Sequence, residues 1–597
     1  MLARPGVRAP DSTAGALNVI TADVAGQLQA AAPYGLGIAG VAILTVLLIT
    51  GRAVQLNALA ARREAGRSTR RPAWQRLNLD LVAALLALVA FGVSTYLGGT
   101  VQNSTQSRAL LAPLALAGPI LLAIAVALLA VRLFPWALRG ASWLADRGRG
   151  ATPQLALAQL TRAPGQNLRA ALLLAFALAL VIVTGVFAES QAQRPADAAS
   201  YLAVSDFSGA LPPQRGVQPT FSALTKQYQQ IPGVTSASLG YVFDGYQEAL
   251  NANVELEAVD TSAYARTVSW TWPGAPKSLA PLLGKLIPPK RSLLPLAGVP
   301  ALLDANLWNA LHLRAGDLFS LDIAQASAGF GSDDSSFPFL AVAEVQHLPP
   351  LADDTSGGLI SDVISGGLLV DYQTYAAFYK HIESNQVISP NHVWLRTVSD
   401  PATLARTRAI LTRGSLSLNP LYDRRAIAAY MQGDTINLDL TVVPLLGALL
   451  TLALAIIGIA LSAWQSASQR VSEFGLLRAL GVSRGQVARI LWWEQLAIYP
   501  VALALGLAMG LGLSGPITRS LVYSDATSAP IGNGALEISS VAEFYARQQV
   551  PPARVVYPPE IAILVACLAA LGLVAATIMA WRVSGRISGA TLRFDDD

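Results

Sequence analysis

The sequence predicts a polytopic α-helical membrane protein of about seven transmembrane helices with a large α+β extracytoplasmic domain. Hydrophobic residues make up 53% of the chain and charged residues 13%, with a mean hydropathy of +0.45. A soluble chain carries about 25% charged residues. Seven apolar runs reach the length of roughly 17–25 residues that a helix needs to cross a bilayer. The long segment between the fourth and fifth runs is far more polar than its flanks.

The apolar runs are predicted to be helical, because lipid offers no partners for unpaired backbone groups. They lie near residues 34–50, 79–97, 110–131, 170–188, 439–461, 495–513 and 560–580. The sole cysteine, Cys567, lies inside the last run, so the chain forms no internal disulfide.

Arginine predicts the orientation of these helices. Arginines are concentrated in alternate connecting segments, namely 51–78, 132–169, 465–494 and 582–597, with seven, six, four and three each. The opposite segments, 1–33, 98–109 and 514–557, hold six together. Cytoplasmic loops carry the excess of positive charge. The C-terminus is therefore predicted to be cytoplasmic, and span parity places the large polar region outside.

The predicted organisation has five parts. They are an extracytoplasmic N-terminal segment (1–33), three transmembrane helices with Arg-rich cytoplasmic loops (34–169), a further transmembrane helix (170–188), the extracytoplasmic α+β domain (189–430) and a three-helix membrane domain (431–597).

Alternating patterns predict strands in the polar region. Val254, Leu256 and Ala258 alternate with Glu255 and Glu257, which is typical of a half-buried strand.

Further along, the patterns mix helix and strand. Residues 234–239 read as a strand after a Pro-Gly break, and residues 301–316 read as a helix ending at a glycine. A strand at 318–323 is expected to pair with one at 339–345.

A charged helical hairpin joins the fifth and sixth apolar runs. Apolar residues recur at helical spacing up to Gly481, where a helix is predicted to end. Ser483 followed by Gln486 predicts a capping box that begins the next helix. Glu494 within that helix is either a hinge contact that transmits motion or an interfacial carboxylate that reaches for the headgroups.

The segment Glu473-Phe-Gly-Leu-Leu-Arg-Ala-Leu-Gly481, with Arg484, Gln486 and Glu494 after it, resembles the signature of FtsX-like (MacB-type) ABC transporter permeases. In that family this loop is the coupling helix, here 472–482, which docks on a separate ATPase. The resemblance implies a coupling role for Glu473, Phe474, Gly475, Leu477, Arg478, Ala479, Leu480, Gly481, Ser483 and Arg484. The alternative is a surface helix that only links two spans.

The order of one span, an outer domain and three spans matches the four-helix unit of the same family. Segments between residues 70 and 206 also resemble long, ten-span members, of which this chain would be the C-terminal seven spans. We therefore expect a missing N-terminal half, either lost or encoded separately; the alternative is that seven spans are complete. The outer domain resembles the MacB-type periplasmic core.

No sequence motif predicts an active site on this chain. A P-loop sequence is absent, so ATP and Mg²⁺ are expected on the partner ATPase and no cofactor here. The central turns of the apolar runs lack ionisable residues, which argues against an ion-driven transporter. The four histidines have no metal-ligand spacing. The basic pI near 9.3 follows from the Arg-rich loops, so nucleic acid is not expected as a partner.

Small residues recur every fourth position in the sixth run, at Gly506, Gly510 and Ser514. Such spacing lets two helices approach closely in lipid. We expect a packing face within the subunit or between two subunits; the alternative is mere tolerance of glycine in a span.

The resemblance implies a permease subunit, not an enzyme, in the bacterial inner membrane. Its expected partners are an ATPase dimer, a second permease copy or paralogue, and membrane lipid. It would export or extract an amphiphilic substrate by mechanotransmission. One alternative is a non-transporting regulator of a cell-wall hydrolase or sensor kinase. Another is an enzyme or receptor that uses its spans only as an anchor.

Overall fold

The computed structural model describes residues 44, 78–100, 121–134, 136, 140, 164–212, 220–247, 252–288, 297–322, 336–349, 364–382, 387–432, 444–458, 461, 481–521, 530–531, 534–535 and 553–586. The helices are α1 (Leu79–Thr100), α2 (Leu121–Phe134), α3 (Pro164–Ala203), α4 (Phe221–Gln229), α5 (Thr261–Thr267), α6 (Ala280–Gly284), α7 (Ala305–Ala310), α8 (Tyr372–Ile382), α9 (Pro401–Thr412), α10 (Arg424–Gln432), α11 (Pro444–Gly458), α12 (Arg484–Leu521) and α13 (Glu560–Arg586). The strands are β1 (Phe207–Ala210), β2 (Val234–Gln247), β3 (Ala252–Val259), β4 (Val299–Asp304), β5 (Leu318–Asp322), β6 (Ser336–Val345), β7 (Ile364–Asp371), β8 (His392–Thr397), β9 (Leu421–Asp423), β10 (Pro530–Ile531) and β11 (Gly534–Ala535).

Three of the described helices are long and apolar enough to cross a membrane. They are the stretches Ala171–Ala203, Gly485–Arg519 and Glu560–Ile578. Shorter apolar helices lie at three other predicted spans, namely Leu81–Val93, Leu121–Phe134 and Pro444–Gly458. A membrane protein with a large α+β domain is therefore confirmed, whereas seven spans are not. The first predicted span, 34–50, lies outside the described residues except for Leu44.

The α+β domain is built on a nine-stranded mixed sheet in the order β5-β6-β4-β7-β3-β2-β8-β1-β9. The pairs β3–β7 and β4–β6 are parallel and the others are antiparallel. One face of the sheet is covered by α4, α8 and α9, and we call it the distal face. The other is covered by α5, α6 and Val204, the residue that follows α3, and we call it the stalk-side face.

All four predicted strands are present, within β2, β3, β5 and β6, and one helix prediction is wrong in part, because only residues 305–310 of the predicted helix 301–316 are helical. Residues 318–322 form β5, and Leu318 is paired with Leu340 of β6. Residues 301–304, predicted as the start of a helix, belong instead to the fully buried strand β4. An apolar run of this length fits either structure by its pattern. Here pairing with both β6 and β7 decides the outcome.

The strand β3 is more buried than its alternation predicts. Glu257 is only 5% exposed, not solvent-facing, because β3 is an interior strand and both sheet faces are covered. Val254, Leu256 and Ala258 point into the distal-face core as expected.

The helix α3 is much longer than the predicted span 170–188. It continues to Ala203, so the last part, residues 189–203, projects beyond the apolar run, and we call it the stalk. The next residue, Val204, has a φ of 59° that turns the chain towards β1.

One histidine in the sheet predicts a pH-dependent stability. The ring of His392 on β8 lies 4.7 Å from that of Trp394, and burial lowers its pKa to about 4. The unfolded chain, with an ordinary pKa near 6.5, takes up this proton first as pH falls. The folded state is therefore expected to lose up to about 3 kcal/mol between pH 6.5 and 4.

Unfolding of the purified protein, followed by tryptophan fluorescence across this pH range, measures that loss. The variant His392→Gln is expected to have a shallower dependence on pH, whatever its absolute stability. Equal slopes for the two proteins would contradict this role of His392.

Candidate functional site

The start of α12 is a capped helix terminus. Gly481 has a φ of 94°, which only glycine adopts readily. The backbone N–H of Ser483 donates to Oε1 of Gln486 at 2.9 Å, and the N–H of Gln486 donates to Oγ of Ser483 at 3.3 Å. These reciprocal bonds make a capping box, which fixes where the 38-residue helix begins.

Of the residues given a coupling role, the structure describes only the last three. Gly481 and Ser483 are exposed, and Arg484 is the first residue of α12. The other seven, Glu473 to Leu480 without Leu476, lie outside the described residues.

This terminus lies at the opposite end of the helix bundle from the α+β domain. Helices α3 and α12 run in the same direction, because Gly506 contacts Ala175 and Gly510 contacts Ile182. Since α3 ends at the domain, α12 begins at the far end. The helix α13 runs back, and its Ala580 packs near that start of α12.

Two of the three small residues of α12, Gly506 and Gly510, lie against α3. A Cβ on Gly506 would lie 2.7 Å from the carbonyl oxygen of Ala175, and one on Gly510 would lie 2.7 Å from Cβ of Ile182. Ser514 is fully buried, and its hydroxyl donates to the carbonyl oxygen of Gly510. The close approach of the two helices therefore depends on missing side chains, and the contact is within one chain.

Glu494 is buried, with only 3% of its surface exposed. A carboxylate that reaches out to the headgroups would be exposed, so that interpretation is wrong. Its neighbour Gln495 is buried as well. Both polar side chains lie inside the helix bundle.

At the other end of the bundle, a partly buried set of polar contacts joins the stalk to the segment before α13. Nε of Arg554 lies 3.2 Å from Oδ2 of Asp197, and its guanidinium also donates to the carbonyl oxygen of Thr271 in the α+β domain. The N–H of Val556 donates to Oγ of Ser190 at 3.0 Å. We call this set of contacts the stalk junction.

The stalk side of this junction is nearly free of solvent. Ser190, Arg194 and Asp197 are each at most 3% exposed. Asp197 attracts the neighbouring Arg194 electrostatically as well as Arg554. The carboxylate of Asp197 therefore interacts with two guanidinium groups, the buried one of Arg194 and the half-exposed one of Arg554.

A second set of contacts holds the end of the stalk to the sheet. The hydroxyl of Tyr201 donates to the carbonyl oxygen of Leu348 at 2.9 Å, and its ring meets that of Trp272 edge-on at 5.1 Å. Three residues after the helix, Asp206 pairs with Arg424 at 2.6 Å and accepts from the N–H of Thr397 at 2.9 Å. The stalk and the domain are thus fixed to each other.

The sequence carries a signal for the stalk that the apolar runs do not give. Ser190, Arg194, Asp197 and Tyr201 follow one another at spacings of four, three and four, which places them on one helix face. Hydropathy alone ends the helix at 188, because buried polar residues lower it. Helical periodicity would have carried it further.

The structure defines a membrane protein whose helices hold an α+β domain at one end. A comparison with protein families then identifies its C-terminal part: residues 445–586 match the model of the FtsX-like permease C-terminal domain. Residues 445–586 are therefore similar to an FtsX-like permease domain, as the sequence motif indicated. A comparison with curated proteins gives no match.

The match runs from α11 to α13 and includes the cap of α12. Permeases of this kind are membrane subunits of ABC-type transporters and generally work with ATPase subunits. They are generally not enzymes themselves.

Proposed function

We propose that this chain is the permease subunit of a bacterial ABC transporter of the MacB type, acting by mechanotransmission. A separate ATPase dimer binds ATP and Mg²⁺ and pushes on the coupling segment 472–482. The helices carry the displacement across the inner membrane to the α+β domain, which exports or extracts an amphiphile such as a lipid, lipoprotein, peptide or antibiotic. A second copy or a paralogue completes the permease.

One observation carries this proposal: continuous helices join the capped terminus to the stalk junction. At 1.5 Å per residue, the 38 residues of α12 span about 57 Å and the 40 residues of α3 about 60 Å. The bilayer core is only about 30 Å thick. Both helices are long enough to project beyond it, and their tight packing lets one follow the other.

Charge supports an outside position for the domain. Nη2 of Arg132, at the end of α2, donates to Oδ1 of Asn78 at 2.9 Å, and Phe134 packs near the start of α3. The start of α1, the end of α2 and the start of α3 adjoin Arg-rich segments, and they therefore lie at the end of the helix bundle that is away from the domain. By the positive-inside rule, that end of the bundle is cytoplasmic.

The substitution Arg478→Glu tests the role of the coupling segment. Reversing a charge on a docking surface is expected to weaken binding of the partner ATPase at least about tenfold, which corresponds to about 1.4 kcal/mol. Co-purification of the ATPase with the tagged permease measures this. Extraction of membranes at alkaline pH checks that the variant is still inserted.

The matched control is Arg519→Glu, which changes the same charge at the opposite end of α12. Arg519 is exposed and is expected to leave ATPase binding unchanged. Normal binding by Arg478→Glu would refute the coupling role. If ATP hydrolysis instead activates a bound hydrolase or kinase and nothing is exported, the chain is a regulator.

A further inference from the structure

A short segment between α5 and α6 contacts the stalk end of α3 and the chain that leads into α13. It comprises residues 269–275, and we call it the tryptophan strap. The N–H of Ser269 donates to the carbonyl oxygen of Val204, directly after the stalk, at 3.1 Å. The carbonyl oxygen of Thr271 accepts from the guanidinium of Arg554, which precedes α13. The strap is therefore attached to both of the chain segments that meet at the stalk junction.

The main contact of the strap with the stalk is aromatic. The ring of Trp272 meets that of Tyr201 edge-on at 5.1 Å, and each of the two residues is only 2% exposed. The ring of Trp270 lies 5.2 Å from that of Trp272 on its other side. The indole N–H of Trp272 is buried and has no hydrogen-bond partner among the described residues. The link between Trp272 and the stalk is therefore a ring contact and not a hydrogen bond.

The strap also contacts a part of the sheet that is far from β1 in the strand order. A Cβ on Gly274 would lie 3.0 Å from Oε1 of Gln346 and 3.3 Å from Cδ2 of His347, two residues that follow β6. Tyr201 reaches the same segment, because its hydroxyl donates to the carbonyl oxygen of Leu348. The chain enters the sheet at β1, next to one edge, whereas β6 lies next to the opposite edge. The stalk is therefore in contact with both sides of the sheet.

We propose that the tryptophan strap is a second attachment of the stalk, and that Trp272 is the positioning residue that holds the β6 side of the sheet. A sheet attached only at β1 could pivot about the link between α3 and β1. Two separated contacts prevent this rotation, because a packed interior transmits strain from one contact to the other. The domain therefore follows the stalk as one body. The inference rests on the proposed function, in which the stalk carries a displacement to the domain.

Distances between spin labels on the full-length protein in nanodiscs test this attachment. One label is placed on the stalk at Ala192→Cys and the other on β6 at Glu344→Cys, both exposed sites, in a Cys567→Ser background. We expect one narrow distance distribution, which Trp272→Ala should broaden. The control pair joins Ala192→Cys to Arg406→Cys on α9, which packs on the β1 side of the sheet. Its distribution should stay narrow in both proteins.

Three further variants separate the ring contact from a general loss of stability. Trp272→Phe keeps an aromatic ring and should keep the distribution of the β6 pair narrow. Trp308→Ala changes a tryptophan that packs on the distal-face core and should leave that distribution narrow as well. Tyr201→Leu removes the ring contact from the stalk side and should broaden the distribution as Trp272→Ala does. This last variant keeps the test decisive where Trp272→Ala does not fold.

A narrow distribution of the β6 pair in both Trp272→Ala and Tyr201→Leu would overturn the proposal, and so would equal broadening of the two label pairs. These measurements contain no ATPase, so their outcome is separate from that of the transporter proposal. With the partner ATPase and ATP present, both distances should be unchanged in the wild-type contacts. A change in the β6 distance alone would show that the domain pivots on the stalk, against the proposal.

Discussion

Gly506→Leu is expected to separate α12 from α3 and to destabilise the protein by about 3 kcal/mol, the upper end of the usual cost of overpacking. Even the Cβ of an alanine would lie 2.7 Å from the carbonyl oxygen of Ala175 and 3.0 Å from its Cα. Both are backbone atoms, so no side-chain rotation relieves the clash. The helices themselves must move apart, which removes the contacts of Leu178 and Ala502 in the same core.

Thermal unfolding of the protein in detergent or nanodiscs measures the loss. The matched control is Gly512→Leu on the same helix, because a Cβ there has nothing within 4 Å. Only the first variant should unfold at a lower temperature. Equal unfolding temperatures would show that the small residues are not needed for the packing.

A double-mutant cycle separates this backbone clash from a side-chain clash. At Gly510 the obstructing atoms all belong to the side chain of Ile182. Gly510→Ala should therefore be tolerated better in combination with Ile182→Gly, which removes all three obstructing atoms including the Cβ, than the sum of the two single effects predicts. No such rescue is available to Gly506.

Much of the fold could be predicted because its signals are local. Apolar runs predicted most of α1, α11 and α13 and half of α12, and the sequence Ser483-Arg-Gly-Gln486 predicted the cap that begins α12. Each of these depends on neighbouring residues in the chain. The alternation that predicted β3 is local in the same sense, although it could not reveal that both sides of the strand are covered.

The rest depends on contacts between distant residues. Residues 301–304 form a strand because two other strands pair with them. Four consecutive apolar residues do not by themselves indicate which strands will pair with them. The stalk is joined to the segment before α13 because Arg554, more than 350 positions away in sequence, supplies a counter-charge for Asp197. A buried ion pair between such distant positions leaves no local pattern.

Asp197→Ala is expected to cost about 3–5 kcal/mol, because it removes one partner of a buried ionic cluster. The carboxylate is buried, and Arg194 beside it is only 3% exposed. Without Asp197 the guanidinium of Arg194 stays inside the protein and loses this counter-charge. Arg554→Ala is expected to cost only about 1 kcal/mol, because the side chain of Arg554 is 41% exposed and its interactions are partly screened by water.

The difference between the two expected costs lets the effect of the stalk junction on stability be distinguished from its effect on coupling to the ATPase. Both variants cut the link between the stalk, the segment before α13 and Thr271, so amide hydrogen exchange should accelerate at 190–206 and 268–275 in both. Arg406→Ala, at an exposed arginine of α9, changes a similar side chain away from the junction and should leave exchange there unchanged.

Function should divide along the same line. Arg554→Ala leaves a folded protein, so the partner ATPase should still hydrolyse ATP. The function of the permease that depends on this hydrolysis should decrease. Asp197→Ala should lose both, because the domain and the stalk no longer hold together. If Arg554→Ala retains full ATP-dependent function with exchange at wild-type rates, force does not pass through the stalk junction, and the route through Tyr201 and Asp206 must carry it alone.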